Sequence, residues 1–136
     1  MEAVLEYVLA SDYGSVDRAG KPSAAGIFDR INLPPIVANP FLHNFFVVGK
    51  IVITNIRETA PSTLRISIKN PSAETISTVI LEGNITQQEH PYILYFVAKF
   101  DAVPFEATRG DYGLLVTFNE NELENMDRFI TVQPSR

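Results

Sequence analysis

Two aspartates, two histidines and one run of carboxylates are the side chains of this 136-residue sequence best equipped for chemistry. Asp12 and Asp29 fall on neighbouring strands of the first hairpin that the sequence predicts. A carboxylate pair brought together there would suit general acid–base work. The competing reading has Asp12 cap the turn through a backbone hydrogen bond and pairs Asp29 with Arg30 or Lys21. Short polar side chains beside turns do this routinely, and it is the reading favoured.

His43 sits inside Phe41-Leu42-His43-Asn44-Phe45-Phe46, and His90 precedes Pro91 at the head of a strand. A metal site or a base–nucleophile pair needs imidazole converging with carboxylates or a hydroxyl. No His-x-x-x-His, His-x-His or Gly-x-Ser-x-Gly pattern supplies that locally, so packing is favoured for both. The run from Asn119 to Asp127 offers Glu120, Glu122, Glu124 and Asp127 together with three amides. These are oxygen donors of the kind calcium prefers. The run lacks the glycine and spacing of an EF-hand, and Leu123 and Met126 read as anchors of a single helical turn over Glu120–Met126. A solvated connection is therefore favoured, with calcium the one ion worth testing and no other cofactor expected. Asn84-Ile85-Thr86 fits a glycosylation acceptor, which reads as chance without a secretory signal.

The elements that must position these groups are strands. Nine prolines and seven glycines divide the chain into short segments rich in Val, Ile, Phe, Tyr and Thr. Strands are expected near Ala3–Ser11, Ser23–Ile31, Phe45–Asn55, Thr63–Lys69, Thr75–Glu82, Tyr92–Phe100, Tyr112–Phe118 and Arg128–Gln133. Thr63–Lys69 alternates most cleanly, with Leu64, Ile66 and Ile68 on one face. Tyr92–Phe100 is apolar on both faces except for Lys99, which predicts a central strand. Pro34-Pro35 and Asn39-Pro40 lie in the longest irregular link, which suits a crossing between sheets. Asn70-Pro71-Ser72-Ala73 predicts a tight turn. Gly110-Asp111-Tyr112 matches the tyrosine corner of Greek-key sandwiches as well as it matches an ordinary strand start. The expected fold is all-β: a single-domain antiparallel Greek-key β-sandwich over residues 1–136, immunoglobulin-like or C2-like, with about eight strands.

Net charge is −5, and the 11 basic residues are scattered singly, so no clustered positive surface invites nucleic acid. With zero cysteines there is no disulfide, thiolate metal site or cysteine nucleophile. Met1-Glu2 and Glu6 do not make a signal peptide, and no segment reaches the ~20 apolar residues of a membrane helix. The expectation is a soluble chain in the cytoplasm, or within a particle assembled there, that engages neither membrane nor nucleic acid.

The series Ser11-Asp12-Tyr13, Gly20-Lys21-Pro22-Ser23 and Gly26-Ile27-Phe28-Asp29-Arg30-Ile31 resembles the opening of a family of small uncharacterised bacterial and phage all-β proteins. That family carries a Cys-Asp-Tyr-Ala segment, a Gly-Lys turn and a Gly-x-Phe-Asp strand. The Asn70-Pro71 turn and the Gly110-Asp111-Tyr112 strand start also fall where that family has similar elements. This chain departs from it at Ser11 and Gly14. The resemblance implies a β-sandwich and no activity.

Apolar surface is the remaining lead. Phe41, Leu42, Phe45 and Phe46 follow the proline-rich link, while Val4, Val8 and Ala10 make a second apolar face on the first strand. Such a strand is either central or covered by another subunit. The first of three functional expectations is thus a non-catalytic structural or protein-interaction module, presenting Phe41, Leu42, Phe45, Phe46, Val4 and Val8 to protein partners. Those partners include copies of itself, as in a virion component. The second is a sandwich binding calcium or carbohydrate through its end loops, with tyrosines as stacking surfaces. The third is a hydrolase using Asp12, Asp29 or His90.

Overall fold

The computed structural model describes residues 1–124 and 129–134, and every regular element among them is a strand. In chain order these are β1 (Glu2–Val16), β2 (Pro22–Phe28), β3 (Arg30–Leu33), β4 (Phe41–Thr54) and β5 (Ala60–Lys69). There follow β6 (Thr75–Ile85), β7 (Tyr92–Phe105), β8 (Gly110–Phe118), β9 (Asn121–Leu123) and β10 (Phe129–Pro134). They form two packed sheets. The first has the order β2-β1-β4-β7, and the second β3-β10-β8-β5-β6 with the short β9 also on β8.

Alternation builds the sandwich. Phe45, Val47, Ile51 and Ile53 of β4 face inward across from Leu64, Ile66 and Ile68 of β5 and Leu114, Val116 and Phe118 of β8, all within one buried cluster. Aromatic rings fill one end of it. Phe45 stacks on Phe100 with ring centres 5.3 Å apart, and Phe105 meets Tyr112 edge-on at 4.7 Å. The Tyr112 hydroxyl accepts a hydrogen bond from the Glu106 backbone N–H at 2.9 Å. This is the tyrosine corner, tying the strand start back to the chain just upstream.

Four expectations change. The segment expected as one strand over Ser23–Ile31 is two, broken at Asp29: β2 stays in the first sheet, and β3 joins the second alongside β10. The β3–β10 pair is parallel, so the second sheet is mixed rather than wholly antiparallel. Asp29 itself anchors the crossing, its carbonyl accepting the Thr131 N–H at 2.9 Å. The link containing Pro34-Pro35 and the cis Asn39-Pro40 bond carries the chain back to the first sheet, as a crossing link should.

Second, Glu120 does not begin a helical turn. Asn119 and Glu120 adopt positive φ, and β9 folds back on β8 as a hairpin. Left-handed residues are what a tight strand reversal needs. Met126 lies outside the described residues.

Third, Asp17 rather than Asp12 organises the first turn. Its carboxylate accepts the backbone N–H groups of Ala19 and Lys21, each at 2.8 Å, and Gly20 takes φ +79°. Fourth, β7 is not central. It ends the first sheet, and among the described residues no strand pairs with its outer edge.

Candidate functional site

The outer face of the first sheet is where the unexplained apolar surface gathers. Strand register lines up rows of outward side chains across β1, β4 and β7: Val4 beside Val52 beside Ile93, then Tyr7 beside Lys50 beside Tyr95, then Leu9 beside Val48 beside Val97. Val4 is 63% exposed and Ile93 49%. A register shift between Leu5 and Tyr7 sets Glu6 out of the pairing, and its carboxylate reaches Lys50 Nζ at 2.8 Å. Lys50 Nζ also lies 5.8 Å from the centre of the Tyr95 ring. The Glu6 hydrogen bond chiefly, with its charge behind it, raises the Lys50 pKa above the ordinary lysine value, although desolvation opposes this. One charge pair thus sits in the middle of a largely apolar face.

The far end of that face is covered by the chain itself. Beyond Ser11, β1 leaves β4 and runs with β2 over the outer surface. A Cβ on Gly14 would lie 3.0 Å from Val48 and 3.2 Å from Val97, and the Tyr13 ring meets Phe46 edge-on at 5.9 Å. Val48 is buried there without joining the main core. Ser11 is buried as well, its hydroxyl donating to the Tyr13 carbonyl at 2.9 Å. The room beneath position 14 suits glycine, and a Cβ there would have to push its neighbours aside by a few tenths of an ångström.

The first-hairpin motif therefore does packing. Gly26 takes φ +69°, and a Cβ on it would sit 2.5 Å from an Asp12 carboxylate oxygen, so the Asp12 side chain lies directly over the glycine. Phe28 turns inward onto Phe45 and His43. Asp12 opposes the Gly26 region while Asp29 lies beyond Phe28, which pairs with Ala10. Three strand residues separate the two carboxylates, on the order of 10 Å. They form no pair suited to acid–base work, and Asp29 makes no ion pair with Lys21 or Arg30 among the described residues.

The other candidates are equally dispersed. His43 is half-buried among the rings of Phe28, Phe45 and Phe105. His90 is exposed at the opposite end of β7 from His43, with its carbonyl accepting a hydrogen bond from Gln88. Glu120, Glu122 and Glu124 are exposed on and beside the β9 hairpin, and Asp127 lies outside the described residues. Among the described residues no three His, Asp or Glu side chains converge as a metal would require. Of the residues expected at an interface, Val8 and Phe45 are core, 2% and 1% exposed. Phe41 is half-buried and stacked on Phe105. Phe46 lies under the β1–β2 arm, while Val4 and Leu42 face outward.

A cleft of about 280 Å³ opens where the two sheet edges β6 and β7 diverge, lined by Leu64, Leu81, Leu94, Phe96 and Phe118 with Tyr92 at its side. Sequence reasoning names Tyr7 only as a stacking surface and does not single out Val52, Ile93 or the cleft. The signal for Ile93 is the second apolar phase of Tyr92–Phe100, which by composition alone reads as a central strand.

The profile of a family of unknown function, DUF6941, matches residues 6–130. The chain belongs to DUF6941. In this member the matched span holds the hairpin motif, most of both sheets and the β6–β7 cleft, and leaves out the first residues of β1 and the greater part of β10. No curated protein matches the chain. No described helix is long and apolar enough to cross a membrane.

Proposed function

We propose that this protein is a non-catalytic interaction module of immunoglobulin type, a component of a larger assembly such as a virion, and that copies of itself are its first partners. The observation carrying this reading is the uncovered row of Val4, Val52 and Ile93 on a sheet whose far end the chain already covers with its own hairpin arm. Contiguous apolar surface left in water on a folded domain marks association. The immunoglobulin comparison rests on order and on the tyrosine corner. β1, β4 and β7 correspond to strands A, B and E, and β5, β8 and β10 to C, F and G, with Tyr112 opening the strand in the F position.

Light scattering on the purified chain tests this. A discrete oligomer is expected, and Val4→Lys combined with Ile93→Lys is expected to return a folded monomer. A wild-type chain that stays monomeric at high concentration overturns the reading.

A second reading, a carbohydrate-binding sandwich, is favoured by the Tyr7–Lys50–Tyr95 row. It sets two aromatic rings on strands roughly 10 Å apart with a cation between them. Retardation on polysaccharide gels that Tyr95→Ala abolishes would establish it.

A further inference from the structure

Strand β7 has the composition of an interior strand and the position of an edge. From Tyr92 to Ala98 it reads Tyr-Ile-Leu-Tyr-Phe-Val-Ala, with no charge, proline or glycine. Exposed strand edges of natural proteins are ordinarily blunted by charges, prolines or bulges, because unpaired N–H and C=O groups recruit other strands. The second half of β7 is blunted in just this way. It carries Lys99 and Asp101, Pro104, and an irregularity where Ala102 takes φ +51° opposite Asn44. The first half has none of these. In the strand order discussed above, a strand D would lie beside β7. Here β6 belongs to the opposite sheet, and the cleft opens instead.

We infer that residues 92–96 of β7 pair antiparallel with the same residues of a second copy, about a two-fold axis at Leu94, joining two four-stranded sheets into one of eight strands. This rests on the self-association proposed above and places the contact at the open edge of that sheet, where Ile93 lies at the seam and Val4 two strands away from it. Antiparallel pairing of a strand with itself keeps like faces together when the axis passes through a residue. Leu94 then meets Leu94 of the other copy, and Tyr92 meets Phe96, on the side toward the cleft. Ile93 meets Tyr95 on the outer face, so the Val4–Val52–Ile93 row of one copy runs into the Tyr95–Lys50–Tyr7 row of the other. No charge falls within the paired segment.

The absence of cysteine makes the test clean. Leu94→Cys should oxidise to a disulfide-linked dimer in most of the protein, since residues facing each other across an antiparallel axis lie within disulfide reach. Mixing Ile93→Cys with Tyr95→Cys, both at exposed positions, should give the mixed dimer in preference to either homodimer, whatever the effect of a cysteine at 94 on folding. Val52→Cys should not cross-link, because three strand spacings of about 14 Å would separate it from its counterpart's row. If the wild-type chain is dimeric but Val52→Cys cross-links and these three variants do not, the sheets associate face to face. The edge pairing is then overturned while self-association stands. A dimer that none of the variants captures also overturns the edge pairing. A monomeric wild-type chain overturns both.

Discussion

Gly26→Ala should be among the most damaging single-methyl changes outside the core. Gly26 holds φ +69°, where an L-residue costs roughly 1–2 kcal/mol. The added Cβ would also lie 2.5 Å from Asp12 Oδ2 and 3.0 Å from Asp12 Cβ. The carboxylate can swing aside, but the Cβ is fixed to β1, so the two strands must part slightly at about 1 kcal/mol more. The total of about 2–3 kcal/mol corresponds to a fall of ~1–1.5 M in urea midpoint for a slope near 2 kcal/mol/M. Asp12→Ala removes the oxygen and carboxyl carbon from the contact and leaves the backbone strain. In the Gly26→Ala background it should recover about 0.5–1 kcal/mol, a coupling visible in a double-mutant cycle. Urea denaturation of the four proteins, followed by tyrosine fluorescence, reads all of this. A Gly26→Ala protein within 0.5 kcal/mol of wild type, or strict additivity with Asp12→Ala, would refute the packing account of the hairpin motif.

Three other outcomes follow from the same geometry. Tyr112→Phe keeps the ring against Phe105 but leaves the Glu106 N–H without its acceptor, and should cost about 1 kcal/mol, a few degrees in melting temperature by calorimetry. Glu6→Gln removes the charge behind the raised Lys50 pKa and weakens the hydrogen bond that is its chief cause. A raised pKa means stability present below the ordinary lysine value of 10.5 and lost as pH climbs through the folded value, so the gap in melting temperature between wild type and Glu6→Gln should be full at neutral pH and close under strongly alkaline conditions. Calcium at millimolar concentration should leave the melting temperature unchanged, because Glu120, Glu122 and Glu124 do not converge; a rise would mark a site formed on binding.

Period-two alternation made the second sheet legible from sequence. Leu64, Ile66 and Ile68 face the core as their spacing dictates, and the turn at Asn70 forms through its own side chain, which accepts the Ser72 and Glu74 N–H groups. Tyr112 is the corner that the Gly-Asp-Tyr start suggested. What failed to show was any property set by position within a sheet. A strand apolar on both faces reads as central, and β7 has that composition at an edge because composition records which surfaces must be shielded and not what shields them. The break at Asp29 did leave a trace, since Phe28 and Ile31 are three residues apart and cannot share one face of a continuous strand. Which sheet the second piece joins is decided only by the parallel partner β10, a hundred residues later. The aspartate pair failed on register, since adjacent strands bring together only residues directly opposite one another.

Hydrogen exchange of the wild-type chain at low and high protein concentration bears most directly on the claim that the uncovered side of the first sheet is this protein's working surface. The amides of residues 92–96 should gain protection as concentration rises, while those of β5 and β8 stay as they were. Protection that is independent of concentration, or that changes in the second sheet and not in β7, would contradict it.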